Sequence, residues 1–282
     1  MKFFKVKSYA KINLSLNITG KLESNFHKIE SIFSFINLHD SIYLRKINTN
    51  NHIITFRGKF AKGISKKNTI FNLLQILDQK KILKNQKFEI KIIKNIPQKS
   101  GMGGGSMNAA SLINFFLKKK ILGANKKNII KIAKIIGSDV VFGIDRRNSV
   151  LSSNGKFSKF NKKLDYYTLI VKPNFGCSTK LIYSKVKQFS KSEYNNPKVS
   201  LLSNDNIINS KNELENIAFK MYPKLKKIKL FLSKLSNVIF IRMTGSGSTI
   251  VAYFNSREAT NIAAKEFKKK YKNYWCIKSK TI

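Results

Sequence analysis

Cysteine is almost missing from this sequence: Cys177 and Cys276 stand far apart and form no C-x-x-C pair. Such usage reads as a reduced, cytoplasmic protein without a thiolate metal site. Histidine is nearly as scarce. His27, His39 and His52 lack the spacing of metal ligands, so no metal centre is expected. No apolar run reaches the ~18–20 residues that a membrane span requires. At the N-terminus, Met1-Lys2-Phe3-Phe4-Lys5-Val6-Lys7 meets lysine too soon for the apolar stretch of a signal peptide. Acidic residues are the shortage with most consequence: 14 Asp and Glu face 55 Lys and Arg, a formal net charge of +41.

A charge of that size ordinarily points to nucleic acid or an anionic membrane. Here the lysines run along the whole chain, mixed with Asn and Ile and with little Arg. That mixture reads as compositional drift, whereas a dedicated nucleic-acid binder gathers Arg and aromatics in one segment. Neither nucleic acid nor a membrane is therefore expected as the main partner, while an anionic small molecule suits the charge. The 282 residues are 42% hydrophobic and 11% aromatic, enough for one large or two modest domains with a real core.

What the chain does have is one glycine cluster, Ile96-Pro97-Gln98-Lys99-Ser100-Gly101-Met102-Gly103-Gly104-Gly105-Ser106-Met107-Asn108-Ala109-Ala110. Its glycines permit positive φ and a close approach of backbone to a ligand. A helix is expected over 108–120, and the free N–H groups and positive dipole end at its start favour an anion. Ser106 and Asn108 add side-chain donors. No Gly-Lys-Ser/Thr closes the loop, so it is not a Walker A motif, and it is not a Rossmann G-x-G-x-x-G. A loop of this build suits the phosphates of a nucleotide.

Around it, residues 9 to 18 alternate apolar and polar, a strand that sets Lys11 and Asn13 on one polar face. Taken alone, that pair reads as a solvated strand face. Strands are also expected over 31–44, 53–60 and 88–93. Asn68 is a good N-cap for the helix it opens, and a second helix over 126–136 ends at Gly137. From about Arg146 the pattern turns to strands, with a lysine-rich linker over 190–197 and a lysine-studded amphipathic helix over 258–271. No internal repeat is present.

The glycine cluster resembles the phosphate-binding motif of the GHMP small-molecule kinases, Pro-x-x-x-Gly-Leu-Gly-Ser-Ser. The triple glycine followed by Ser-x-Asn-Ala-Ala is most similar to the branch whose acceptor is a cytidine diphosphate sugar alcohol. Ser8-Tyr9-Ala10-Lys11-Ile12-Asn13-Leu14 resembles that branch's opening Pro-Ala-Lys-Ile-Asn-Leu, and Phe26-His27 stands where it carries Tyr-His. Ser138-Asp139-Val140-Val141-Phe142 resembles the family's Gly-Ala-Asp-Val-Pro-Phe. Ser178-Thr179 ends a segment like its Pro-x-x-x-x-Ser-Thr, and Asn212-Glu213-Leu214-Glu215 is similar to its Asn-Asp-Leu-Glu. Thr244-Gly245-Ser246-Gly247-Ser248 matches the third motif. Gln98-Lys99-Ser100, Met107, Tyr9 and Asn25 depart from the pattern.

The resemblance implies an α+β, two-domain GHMP kinase fold with the active site in the cleft between domains 1–152 and 153–282. It implies ATP, as MgATP, held by Asn68, Lys94, Pro97, Gly101, Gly103, Gly104, Gly105, Ser106 and Asn108, with no protein ligand to Mg²⁺ named. Lys11 would neutralise charge on the transferring phosphoryl group, and Asp139 would accept or position the acceptor's hydroxyl proton. Asn13, Phe26, His27, Thr179 and Gly245 would border the acceptor, Phe26 by stacking on the base. For Asn68 and Asp139 helix capping stands beside these roles. The alternatives are a mevalonate- or homoserine-type GHMP kinase, against which Phe26-His27 argues, and a basic RNA-binding protein on a related fold. The latter leaves Lys11, Asp139 and Ser106 unexplained. A monomer or homodimer fits equally.

Overall fold

The computed structural model describes residues 2–23 and 26–282; the turn position Asn25 lies outside the described residues. In chain order the elements are β1 (Phe4–Asn13), β2 (Asn17–Lys21), β3 (His27–Ile47), β4 (Ile53–Arg57), α1 (Thr69–Gln79), β5 (Lys87–Ile93), α2 (Gly104–Lys118), α3 (Lys126–Ile136), α4 (Val140–Ile144) and β6 (Asn148–Leu151). There follow β7 (Phe157–Phe160), β8 (Tyr167–Lys172), α5 (Thr179–Tyr183), α6 (Asn204–Asn209), α7 (Leu214–Met221), α8 (Pro223–Leu232), β9 (Phe240–Met243), β10 (Ile250–Phe254), α9 (Arg257–Lys270) and β11 (Trp275–Lys280).

The chain folds into two compact units, each drawn from separate stretches of sequence. One takes 1–10, 38–98 and 103–146, the other 11–37, 99–102 and 147–282. The second half of β3 belongs to the first unit, and the first half to the second.

In the smaller unit, β5 pairs antiparallel with β3 over Ser41–Ile47 and parallel with β4. Ile42, Leu44, Ile90 and Ile92 of these strands share one core with Leu73 and Leu77 of α1, Leu112 and Phe116 of α2, and Ile132 of α3. Apolar residues at i, i+3 and i+4, such as Ile129, Ile132 and Ala133, give α3 its buried stripe. Asn68 caps α1 as its sequence predicts: Oδ1 accepts from the N–H groups of Ile70 and Phe71 at 3.0 and 3.2 Å.

The larger unit carries a four-stranded antiparallel sheet in the order β11-β8-β10-β9. Leu169, Val171, Ile250, Ala252 and Phe254 of that sheet share a core with Leu214 of α7, Ile228 and Leu232 of α8, and Ala263 and Phe267 of α9. The outward face of α9 carries Lys265, Lys268, Lys269 and Lys270 in solvent. Three lysines in its last turn complement the helix dipole. The same unit holds the hairpin of β2 with the first half of β3, and β6 paired with β3 and β7.

Two sequence expectations change. The stretch 9–18 is not one strand: β1 stops at Asn13, and β2 begins at Asn17. Leu14, Ser15 and Leu16 continue the apolar–polar alternation although all three are buried, so pattern alone does not register the break. The helix expected from Asn108 begins four residues earlier, inside the glycine cluster. Glycine's poor helix propensity conceals that start.

Candidate active site

In the smaller unit the chain leaves β5 at the buried Pro97 and enters the glycine cluster. Gly103 takes a left-handed conformation, φ 65° and ψ 20°, and forms the N-cap of α2 with no side-chain cap bond. The first bond of the helix runs from the N–H of Met107 to the carbonyl of Gly103, 2.8 Å. The N–H groups of Gly104, Gly105 and Ser106 therefore have no partner within the helix, and its first turn carries no acid. Positive dipole and open donors make this helix end an anion seat. A Cβ on Gly105 would stand 3.0 Å from Thr69 Oγ1, and one on Gly104 would stand 3.0 Å from Ile96 Cγ2. The glycines are thus fixed by close neighbours as well as by conformation.

The expected ligands around this seat divide. Ser106 lies in the first turn, partly open. Asn108, one turn on, is rotated into the interior with its Oδ1 lacking a hydrogen-bond partner, so its carboxamide is not on the open side. Met107 is also interior: its sulfur is 3.0 Å from where a Cβ on Gly143 would sit. An apolar side chain suits that position, which accounts for the departure from a serine. The amide of Asn68 is fully used in the cap, since its Nδ2 donates to the carbonyls of Ser65 and Lys66 at 3.0 and 3.1 Å. Gln98, another departure, donates through Nε2 to the carbonyls of Phe60 and Lys62 at 3.0 and 2.9 Å and pins the loop's entry.

Beneath Gly104 lies Lys94, whose Nζ is 3.3 Å from the position a Cβ would take. Its ammonium is ion-paired with Asp40, and both side chains are buried. The other carboxylate oxygen of Asp40 accepts the N–H groups of Asn95 and Ile96 at 2.7 and 2.9 Å. Lys94 thus brings a compensated charge, and its first task is to anchor the loop. Asp40 is missed by sequence reading; its only signal is an acid inside the expected strand stretch 31–44 of an acid-poor chain. Asp139 occupies the N-cap position of α4 with helical φ and ψ and makes no side-chain cap bond. Capping therefore does not explain it. Gly137, two residues earlier, runs beside Ser106, with Oγ 3.9 Å from its Cβ position.

In the larger unit, Lys11 and Asn13 are buried, 5% and 2% exposed, which excludes a solvated strand face. Lys11 Nζ donates to Asn13 Oδ1 at 2.9 Å and lies 5.2 Å from the centre of the Phe33 ring. Asn13 is itself fixed. Its Nδ2 donates to Ser31 Oγ at 2.9 Å, and its backbone N–H donates to Thr244 Oγ1 at 3.1 Å. The N–H of Lys11 reaches the carbonyl of Met102 at 3.2 Å, and Thr244 Oγ1 donates to the carbonyl of Gly101 at 3.1 Å. One compact group thus joins Lys11, Asn13, Gly101 and the second glycine loop.

Gly245 has φ 55°, and a Cβ there would stand 3.3 Å from the carbonyl oxygen of Gly101 and 3.7 Å from Asn13 Oδ1. Asn212 secures the same loop by donating to the carbonyls of Met243 and Gly245 at 2.7 and 2.8 Å. Thr179, exposed at the start of α5, shares a 2.7 Å hydrogen bond with Ser246. Thr244 and Ser246 lie in the matched third motif without an expected role of their own, and Ser31 is absent from the expected site, because a lone hydroxyl that positions another side chain carries no spacing signature.

Phe26 and His27 sit where β3 begins, in the same unit. Phe26 is 73% exposed, and His27 lies against Tyr183 and Phe189 with ring centroids 5.1 and 6.2 Å away. Partial burial, with help from the Lys21 charge, lowers the pKa of His27 below 6.5, so the ring is neutral near pH 7. Its Nε2 is buried without a hydrogen-bond partner. Exposed rings beside a neutral imidazole with an unused nitrogen suit a planar heterocycle that both stacks and hydrogen-bonds. Tyr183 and Phe189 join this group only through the fold, 156 and 162 positions beyond His27 in sequence.

Comparison with known proteins adds an independent measure. Residues 68–146 match the model of the GHMP kinases N terminal domain, and residues 199–273 that of the GHMP kinases C terminal domain. The chain is 56% identical, over 282 residues and the full length of both, to the 4-diphosphocytidyl-2-C-methyl-D-erythritol kinase of Pelagibacter ubique (strain HTCC1062). Among solved structures it resembles a 4-(cytidine 5'-diphospho)-2C-methyl-D-erythritol kinase, with a TM-score of 0.80 at 20% identity over 98% of this chain and 99% of that one. It also resembles the homoserine kinase of Cytophaga hutchinsonii, with a TM-score of 0.70 at 17% identity over 100% and 95%. Those two structural likenesses concern the fold alone, which kinases with different acceptors share.

Proposed function

The chain belongs to the GHMP kinase family, and from that premise we propose that it transfers the γ-phosphoryl group of ATP to the 2-hydroxyl of 4-diphosphocytidyl-2-C-methyl-D-erythritol. This is a step of the non-mevalonate route to isoprenoid precursors. The observation that carries the choice of acceptor is the His27 group: a neutral imidazole with an unused nitrogen, beside exposed rings, fits a cytosine and has no purpose for mevalonate or homoserine. The 56% identity over the whole chain to a kinase of that name supports it.

In this reading the ATP phosphates rest on the N–H groups of Gly104, Gly105 and Ser106. Mg²⁺ enters as part of MgATP, with the substrate's phosphates supplying oxygen ligands. The bond between the γ-phosphorus and the β–γ bridging oxygen breaks, a new bond forms to the acceptor oxygen, and ADP leaves. Lys11, held by Asn13, supplies positive charge to the transferring group without having to reorganise. Asp139 takes or positions the hydroxyl proton. Asn13 and Gly245 border the acceptor, with Thr179 behind Ser246, and Phe26 and His27 receive the base. The two free thiols and the small polar substrates support a cytoplasmic location.

Turnover of ATP is to be measured with the cytidyl compound, mevalonate and homoserine as separate acceptors. ADP formation with the cytidyl compound alone is the expected result. Turnover with mevalonate or homoserine instead refutes the assignment.

A further inference from the structure

Between α5 and the short 3₁₀ turn at Val199–Leu202 the chain runs through residues 186–198 with neither helix nor strand. This strap carries Phe189, 45% exposed, to the face of His27. A stretch without a backbone ladder is held in place by other bonds, and here two carboxylates provide them. Glu30, on β3 and fully buried, accepts the N–H groups of Glu193 and Tyr194, both at 2.9 Å, together with the Ser192 hydroxyl. Glu213, before α7, accepts the Ser190 hydroxyl and, at 2.7 Å, the N–H of Ile18. The Ser190 N–H in turn reaches the carbonyl of Ile18 at 2.9 Å.

The segment that follows Phe189 is thus clamped at residues 190, 192, 193 and 194 onto strands β2 and β3, and His27 is the first residue of β3. Burying a carboxylate is unfavourable unless its oxygens are well bonded, and bonds to an ionised acceptor are the stronger kind. Glu30 therefore fixes geometry more firmly than an apolar contact at the same place. The strap's interior end also meets the Lys11 group. Tyr194 donates to Ser15 Oγ at 3.3 Å, Ser31 donates to the carbonyl of Ser15, and Asn13 donates to Ser31.

We infer that Glu30 and Glu213 are positioning residues for recognition of the acceptor's base: they hold the 190–194 strap so that Phe189 stays against His27, without touching the base. This rests on the reading that the His27 group receives cytosine. Neither residue stands out as functional in sequence, since each is a single acid with no spacing of its own.

The test is steady-state kinetics on the full-length enzyme, with acceptor and ATP varied separately, for Phe189→Ala, Glu30→Gln, Ser192→Ala and the double variant Glu30→Gln/Phe189→Ala. Phe189→Ala is expected to raise KM for the cytidyl acceptor about tenfold, the scale of one lost base–aromatic contact. Glu30→Gln raises the same KM severalfold, leaving kcat and the KM for ATP within about twofold. The double variant equals Phe189→Ala alone, because Glu30 acts through that ring. Effects that multiply in the double variant, or a Glu30→Gln change shared equally by both KM values, overturn the inference and make Glu30 merely structural. An effect of Phe189→Ala with none from Glu30→Gln overturns the inference while the cytosine site stands. No effect from either variant overturns the inference, and the acceptor KM of Phe26→Ala then decides whether the cytosine reading itself stands. If Glu30→Gln does not fold, Ser192→Ala, which deletes one donor to the same carboxylate, decides by the same KM split.

Discussion

Gly101 is the position where one added methyl group tests the most of this structure. Its φ is 73°, and a Cβ there would lie 2.1 Å from the carbonyl oxygen of Thr244. An L-residue in the left-handed region costs about 1–2 kcal/mol. The overlap is a second cost, since 2.1 Å is well over ~1 Å short of carbon–oxygen contact. The Thr244 carbonyl cannot withdraw freely, because it accepts the N–H of Gly247 at 3.0 Å within the second glycine loop. Forced overpacking of this kind costs about 1–3 kcal/mol. Gly101→Ala should therefore lose about 3 kcal/mol, a fall of about 10 °C in Tm for a unit of this size. Gly155 is the control. Its φ is 78°, yet nothing lies within 4 Å of its Cβ position. Gly155→Ala should lose only about 1 kcal/mol, about 3 °C. Activity separates the two further. Displacing Thr244 moves Asn13 and the group around Lys11, and a misplacement of ~1 Å costs about 10²-fold in rate. The assay is thermal unfolding and ATP turnover on both variants side by side. Equal Tm values, or full turnover in Gly101→Ala, would refute the packing argument.

Lys11→Ala and Asp139→Asn should each lower kcat by about 10² or more with ATP binding largely kept, the scale of charge stabilisation and general base terms. Near-normal kcat in both removes them from the mechanism. Phe26→Ala should raise KM for the cytidyl acceptor by about 1–3 kcal/mol in free energy and leave that for ATP nearly unchanged; the reverse order would put the ring at the adenine. For His27, burial and then the Lys21 charge lower the pKa, so the neutral form that serves the base persists below pH 6.5. Acceptor KM should be flat between about pH 7 and 8 and rise only as pH falls through that lowered pKa, and Lys21→Ala should move the inflection upward. An inflection at or above pH 6.5 in the unmodified protein contradicts this.

Much of the architecture was legible in the sequence where periodicity is strong. The helix over 126–136 with Gly137 at its end, the Asn68 cap and the lysine-faced last helix are found where local chemistry puts them. The start of α2 was hidden because glycine disguises a helix, and the break after Asn13 because the apolar–polar alternation runs on through Leu14, Ser15 and Leu16. At the candidate site, the glycine seat was marked by residue type and spacing, whereas Lys11 and Asn13 were marked only by the family resemblance, since their alternation alone reads as a solvated strand face. Asp40, Ser31, Tyr183 and Phe189 were not marked, since each acts through a partner far away in sequence. The fold also gave different work to residues that composition alone cannot sort. Asn108 and Met107 face inward, and Lys94 is committed to Asp40.

The most direct test of the function is ³¹P NMR of the protein incubated with MgATP and 4-diphosphocytidyl-2-C-methyl-D-erythritol. The account predicts loss of the ATP γ-resonance, growth of ADP, and one new phosphomonoester signal in equal amount on a compound that retains its diphosphate. ADP accompanied only by inorganic phosphate, or ATP left unconsumed by folded protein, would contradict it.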